Sequence, residues 1–318
     1  MIQNPVPWPN GARCAVAFTF DMDADSILHL AHPDRAHQMV ATLSMLRYGP
    51  LVAVPRILET WRKFNLKQTF FVPAWCIESY PRVVEAIVRD GHEIGHHGYI
   101  HEHPNELSRD EELYWLQRGI EVIVKHTGQR PRGWRAPLYN FSNHSLELLL
   151  QEAFLYDASL MGDDVPYLLR GKTGELVELP SHWGLDDWPQ FTHSLDLGYQ
   201  KPIRAPERAW EVFWAEFEAA VKYGGLWIAV WHPMVSGRLA RWHRTEKMIE
   251  SMLARGDVWI ATLEEIARHV RACIGAGTWK PRVDELPYYD APVRVNGPVT
   301  TEYGDQNAAI GADPRRKS

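Results

Sequence analysis

Apolar positions along this chain fall into two kinds of stretch that alternate. Short unbroken runs, Cys14-Ala-Val-Ala-Phe-Thr-Phe20, Gln68-Thr-Phe-Phe-Val72 and Leu226-Trp-Ile-Ala-Val-Trp231, suit strands buried on both faces. Between them lie segments with helical spacing. Ile57, Leu58, Trp61 and Phe64 predict a helix from Val54 to Phe64. Val83, Val84, Ile87 and Val88 predict another that starts at Pro81 and ends at Gly91, before the short strand Glu93-Ile94-Gly95. Ser108-Arg-Asp-Glu111 reads as a capping box for a helix to about His126, with Gly128 behind it, and Ser142 as the cap of a helix through Leu150. Further helices are expected from Arg208 to Tyr223, Arg244 to Ala254 and Leu263 to Ala272. Shorter strands are expected within Pro131–Tyr139, Leu155–Ser159, Leu176–Pro180 and Val258–Ala261. Residues 26 to 50 have no clear period and read as an insertion with short helical pieces.

Strands that alternate with helices of ten or more residues argue for an α/β parallel sheet or barrel, here one domain over residues 1–274. Beyond Cys273 the periodicity stops. Residues 275–318 read as an irregular tail, with Pro287 to Tyr289 against a neighbouring subunit and the last dozen residues disordered.

Composition narrows the class. A hydrophobic share of 45% in 318 residues is ordinary for a globular protein with a sizeable core. With 34 basic and 40 acidic residues the net charge is -6, so no basic field exists to attract nucleic acid or an anionic membrane. Cys14, Cys76 and Cys273 are odd in number and far apart, which excludes a disulfide framework and a CxxC clip. The start, MIQNPVPWPNG, has neither the basic nor the apolar region of a signal peptide, and no apolar run reaches membrane length. The expectation is a soluble, cytoplasmic protein.

Chemistry is concentrated in Gly91 to Pro104, GHEIGHHGYIHEHP, where five of the 15 histidines occupy fourteen residues. Imidazole is the commonest ligand for zinc-like metals, and His97 and His101, four apart, share one face of a helical turn. His92 and His96 have the same spacing, so spacing does not choose between the pairs. His103, and His29, His32 and His37 in the insertion, carry no assigned role. The first strand ends at Asp21-Met-Asp23-Ala-Asp25; carboxylates there are costly unless paired or metal-bound, although Asp-rich turns are common. Arg135, Asp187 and His232 also fall at expected strand ends. Each has an ordinary reading as a surface or structural residue, but Asp21, His97, Arg135, Asp187 and His232 at the same relative position point to one shared site.

At these residues the sequence resembles the NodB-homology polysaccharide deacetylases, carbohydrate esterase family four, over about residues 13 to 270. Phe18-Thr-Phe-Asp-Met-Asp23 is similar to that family's TFDDG motif, and Gly91 to His101 to its GHEIGNH[ST]xxH, with His96 where Asn is common. Arg135-Ala-Pro-Leu-Tyr139, Asp187-Trp188 and Val230-Trp-His232 are similar to three further motifs. Met22 separates the two aspartates, and Ala24-Asp25 replaces the usual Gly-Pro. That pattern, with His232-Pro-Met-Val-Ser-Gly-Arg238, is closer to a cytoplasmic subgroup that holds Helicobacter-type deacetylase-like proteins, cyclic imidases and allantoinase-like members.

The resemblance implies a distorted (β/α) barrel of about seven parallel strands and a homotetramer. It implies one divalent ion, Zn2+ or otherwise Co2+, Ni2+ or Mn2+, on Asp23, His97 and His101, a donor set suited to catalytic zinc. Asp21 would be the base, Arg135 its partner, His232 the acid and Asp187 the group that orients it. Trp134, Tyr139, Trp183, Trp188 and Trp231 would line the substrate pocket. The expected reaction is hydrolysis of a non-peptide C–N bond, first on a small cyclic imide or ureide, and alternatively on an N-acetylated sugar or peptidoglycan fragment. An inactive carbohydrate-binding barrel is the reading from another class.

Overall fold

In the computed structural model, which describes residues 1–289 and 291–293, every predicted apolar run becomes a strand, and the helices lie between them. The first strand, β1 (Cys14–Asp21), is buried along its whole length. The insertion after it holds α1 (Ser26–Ala31) and α2 (Val40–Tyr48), followed by α3 (Val54–Phe64), β2 (Thr69–Val72), α4 (Ala74–Ser79), α5 (Pro81–Arg89) and β3 (Glu93–His96). Next come α6 (Arg109–Thr127), β4 (Gly133–Trp134), α7 (Ser145–Gln151), β5 (Tyr156–Asp157), β6 (Tyr167–Arg170) and β7 (Glu175–Glu178). A short α8 (Trp188–Phe191) leads into a hairpin of β8 (His193–Ser194) and β9 (Tyr199–Gln200). The chain continues through α9 (Pro206–Tyr223), β10 (Leu226–Trp231), α10 (Pro233–Ser236), α11 (Leu239–Arg255), β11 (Val258–Ile260), α12 (Leu263–Gly275) and β12 (Val283–Glu285).

The strand order β10-β1-β2-β3-β4-β5-β7 is parallel at every step. This run is the distorted barrel of about seven strands. Its two ends meet loosely: Asp186 bridges to Val230, and the Ser181 hydroxyl donates to the Ile228 carbonyl. β11 adds to β1, and β6 is antiparallel to β7.

Period-two alternation decides what faces the barrel interior. On β1, Cys14, Val16, Phe18 and Phe20 pack outward with Trp61, Phe213 and Trp242 of the helical layer. Ala15 and Ala17 pack inward with Phe71, Val177, Ile228 and Val230. Thr19 and Asp21 follow the inward register, so the polar end of the strand opens into the barrel.

Several expectations change. The α4 helix and the antiparallel β6 have no periodic signal and escaped sequence reading. The helix expected from Arg244 starts at Leu239, and the one capped by Ser142 starts at Ser145, although the Ser142 hydroxyl does accept from the His144 and Ser145 N–H groups. Within 275–318, expected to be irregular, Val283–Glu285 pairs in parallel with β6 because Leu168 and Leu169 bring apolar side chains to that sheet edge. The disorder expected of the last dozen residues lies outside the described residues.

Candidate active site

The site is assembled at the carboxyl ends of β1, β3, β4 and β10. Asp21 ends β1, and Asp23 follows after Met22 turns back into the core. His97 follows β3 directly. His101 reaches the same point through a loop, not the helical turn its spacing suggested: Gly98 has φ 73° and His101 itself φ 72°. A left-handed backbone at a histidine is uncommon, so the surrounding contacts must impose it.

Asp23 is the hub. Its Oδ1 lies 3.4 Å from His97 Nε2, and its Oδ2 lies 3.6 Å from His101 Nε2 and 3.5 Å from His232 Nε2. None of Asp21, Asp23, His97, His101 or His232 is more than 7% exposed. Burial by itself would push the Asp23 carboxyl up, but His101, His97 and His232 outweigh it and hold it below the usual carboxylate range. Burial pushes His101 down to about 4, the neutral form that ligates metal.

A divalent ion fits Asp23, His97 and His101. One ligating atom from each lies within 4.8 Å of the others. The His97 Nδ1 hydrogen donates to the Arg135 carbonyl at 2.8 Å, which leaves the Nε2 lone pair turned inward. Asp23 Oδ1 accepts no hydrogen bond. Asp23 Oδ1 and His97 Nε2, 3.4 Å apart in a buried site, need a cation between them, either a metal ion or a proton on Nε2, which burial opposes but Asp21 and Asp23 favour. Asp186, Asp187 and His232 also approach closely, but their acceptors are already used. Both Asp187 oxygens take the His232 backbone N–H, and Oδ1 lies 2.7 Å from His232 Nδ1. Asp186 takes the Trp188 N–H and the Tyr139 hydroxyl.

Arg135 is fully buried in the opposite wall, with Nη2 left without an acceptor. Its Nη1 donates to Asp21 Oδ1 at 2.7 Å and Thr19 Oγ1 at 2.8 Å, and its Nε to the Ala158 carbonyl at 3.0 Å. The guanidinium lies 4.3 Å from the Phe71 ring centre. Across the site, burial would lower His232, but the Asp187 carboxylate, with Asp23 and Asp186 behind it, pushes it up to about 10.

Two of the expected pocket aromatics are elsewhere. Trp231 is adjacent to His232 and therefore points outward, into a cluster with Phe18, Trp210, Phe213 and Trp227. Trp134, adjacent to Arg135, likewise packs outward on Phe141 and the Leu116 cluster. Trp188 does reach the site, 4.9 Å from the His232 ring, and Tyr139 stacks edge-on with the half-exposed Trp183 at 4.8 Å. Asp186 had one signal, as one of two adjacent acids between Trp183 and Trp188; the Ser159–Asp157–Glu178 network behind Arg135 had no motif, and its one hint was a charged residue inside the apolar run Leu176–Leu179.

The other histidines divide by direction. His96 is structural: its Nδ1 accepts from the Gly98 N–H, its Nε2 donates to the Leu116 carbonyl, and any Cβ on Gly119 would collide with the ring at 2.2 Å. His92 accepts the Gln68 N–H, and His103 lies 3.5 Å from Glu106. In the insertion, His29 packs on Trp75, His37 is exposed beside Gln38, and His32 lies 2.7 Å from the Asp196 carbonyl.

Comparison with known proteins now has a site to refer to. A Peptidoglycan deacetylase from Helicobacter pylori is 33% identical over 243 residues, which is 68% of this chain and 83% of that protein. The chain belongs to the polysaccharide deacetylase family. The family model described as Polysaccharide deacetylase matches residues 45–154. A solved Mycobacterium smegmatis structure assigned to the polysaccharide deacetylases superposes with TM-score 0.84 at 41% identity, covering 93% of this chain and 99% of that one. A solved allantoinase shares the fold, with TM-score 0.74 and 23% identity over 86% of this chain and 94% of the other. Members of the family are hydrolytic enzymes that act on amide C–N bonds, and this deacetylase-type chain is one of them. Among the described residues no helix is long and apolar enough to cross a membrane.

Proposed function

We propose that this enzyme hydrolyses the N-acetyl group of an amino sugar, on short fragments rather than on a long polymer strand, with a divalent ion held by Asp23, His97 and His101. The observation that carries the reading is the placement of Asp21 and His232 on either side of Asp23. Asp21 Oδ2 is 3.7 Å from His97 Nε2, and His232 Nε2 is 3.5 Å from Asp23 Oδ2.

When bound, a divalent ion supplies Lewis acidity, which polarises the amide carbonyl and lowers the pKa of water from about 15.7 to about 7. The chain's own groups do the rest. Arg135 holds the Asp21 carboxylate in place, so that Asp21 can take the proton of the attacking water. His232, held by Asp187 through Nδ1, presents Nε2 to the site and donates a proton to the departing nitrogen. That proton is needed because an amide anion is a very poor leaving group. Trp188 packs on His232 and excludes water from the acid.

The preference for a short substrate rests on a roof. The β8–β9 hairpin lies over Trp188 through Tyr199, at 5.2 Å, and Asp196 in its turn accepts from Thr42 at 2.5 Å. The insertion and the hairpin are thereby tied to each other beside Trp188, which packs on His232. This roof also favours a second reading, a planar cyclic imide or ureide held beside Trp188. The sequence alone placed that reading first; the deacetylase relative reverses the order. The cytoplasmic homotetramer implied by the subgroup belongs to the proposal. Three buried free cysteines are in keeping with a reducing compartment.

The test is a hydrolysis screen of metal-loaded protein against N-acetylglucosamine oligomers, succinimide, hydantoin and allantoin. Acetate release supports deacetylation, and ring opening supports the second reading. Sugar binding without turnover of any compound would support the inactive barrel and defeat both.

A further inference from the structure

The amino-terminal end of the barrel, away from Asp23, carries a cleft of about 350 Å³ that the chemistry above does not use. The ends of α5 and α6, the segment entering β4 and the first turns of α12 enclose it. Both carboxylates in this cleft already hold donors. Glu264 Oε1 takes two N–H groups of Arg268. Glu93, which burial pushes up to about 7, takes the Thr69 and Tyr156 hydroxyls and the Glu264 N–H. Arg130 is bound to the Glu152 side chain and carbonyl.

The charged and buried groups left over are mainly donors. Arg132 has no ion pair among the described residues, and its Nε is buried without an acceptor. Arg268 keeps its remaining N–H groups. His92 is 6% exposed, and its Nδ1 accepts the Gln68 N–H at 3.0 Å, which places the ring proton on Nε2. That Nε2–H is buried and finds no acceptor. Buried donors without partners are costly, and here they collect around one cleft large enough for a small molecule.

We propose that this cleft binds a small polyvalent anion, a di- or tricarboxylate or a phosphate, with Arg132 and Arg268 as charged donors and His92 Nε2–H as a neutral one. Nothing in the deacetylase reaction requires the site, and it stands or falls independently of the substrate assigned above. The test is calorimetric titration of the metal-loaded full chain with succinate, tricarballylate and inorganic phosphate, with uncharged succinamide as control. At least one anion should bind saturably at one site per chain and succinamide should not. R132Q and R268Q should each weaken binding about tenfold or more at unchanged metal content, the loss expected for a charge-assisted contact. Competition between phosphate and the carboxylates identifies a shared site and shows which source is preferred. No saturable binding to the parent protein, or equal affinity in R132Q, as an anion drawn to the metal centre would give, overturns the proposal.

Discussion

Replacing Arg135 by Met isolates the interaction that holds the candidate base. Asp21 and Arg135 are at most 4% exposed and 2.7 Å apart, so their attraction at an effective dielectric of about 20 is about 6 kcal/mol. Much of that is offset by desolvation of the pair, whereas removal of one partner strands a buried charge and costs about 3–5 kcal/mol. R135M and D21N should each destabilise on that scale. The double variant should be more stable than the sum predicts by about 3 kcal/mol, because neither charge is then left alone. Donors lost to Thr19 Oγ1 and the Ala158 carbonyl are common to R135M and the double variant and cancel in the cycle. Urea unfolding of the four proteins, at one fixed excess of metal, measures the coupling. Stabilities that add within about 0.5 kcal/mol would refute the claim that this pair, rather than packing, fixes Arg135.

Other substitutions separate metal binding from proton transfer. H97A should lose both bound ion and turnover, while D21N should keep about one ion per chain by elemental analysis and lose turnover about 10²-fold or more; a D21N variant as active as the parent removes Asp21 from its role. D187N should let His232 fall from about 10, because burial, which lowers it, is then opposed only by Asp23 and Asp186. The alkaline limb of the rate profile should therefore move to lower pH, and an unmoved limb would show that His232 is not the acid. Burial pushes Glu178 well above its usual 4.5 and raises Asp157, so the folded state retains a proton that the unfolded chain has released. Stability from this pair is present at low pH and is lost as pH rises through the folded pKa. Glu178→Gln supplies an N–H in place of the proton and cannot ionise; its melting temperature should fall less steeply than the parent's on raising pH above 4.5, and parallel curves would count against a shared proton.

Much of this architecture was legible because burial on both faces leaves uninterrupted apolar runs, as in Cys14–Phe18 and Leu226–Trp231, and because caps such as Ser108–Glu111 mark helix ends chemically. Elements without such signals were not legible. The antiparallel β6 and the edge strand β12 are three or four residues long, and their pairing is decided by what happens to lie beside them.

The same division runs through the site. Residue type and expected strand ends pointed to Asp21, His97, Arg135, Asp187 and His232, since carboxylates and imidazoles there are too costly to bury without a task, and the family resemblance added Asp23 and His101. Direction came only from the fold. Strand alternation turns Arg135 and His232 into the barrel and their neighbours Trp134 and Trp231 out of it, so a tryptophan beside a motif need not touch what the motif touches. Among the five clustered histidines, all of one chemistry, a carbonyl from Arg135 and a left-handed turn select His97 and His101, while a carbonyl from Leu116 claims His96 and an N–H from Gln68 claims His92. Those partners lie from 20 to 38 residues away in the chain, beyond the reach of any local pattern.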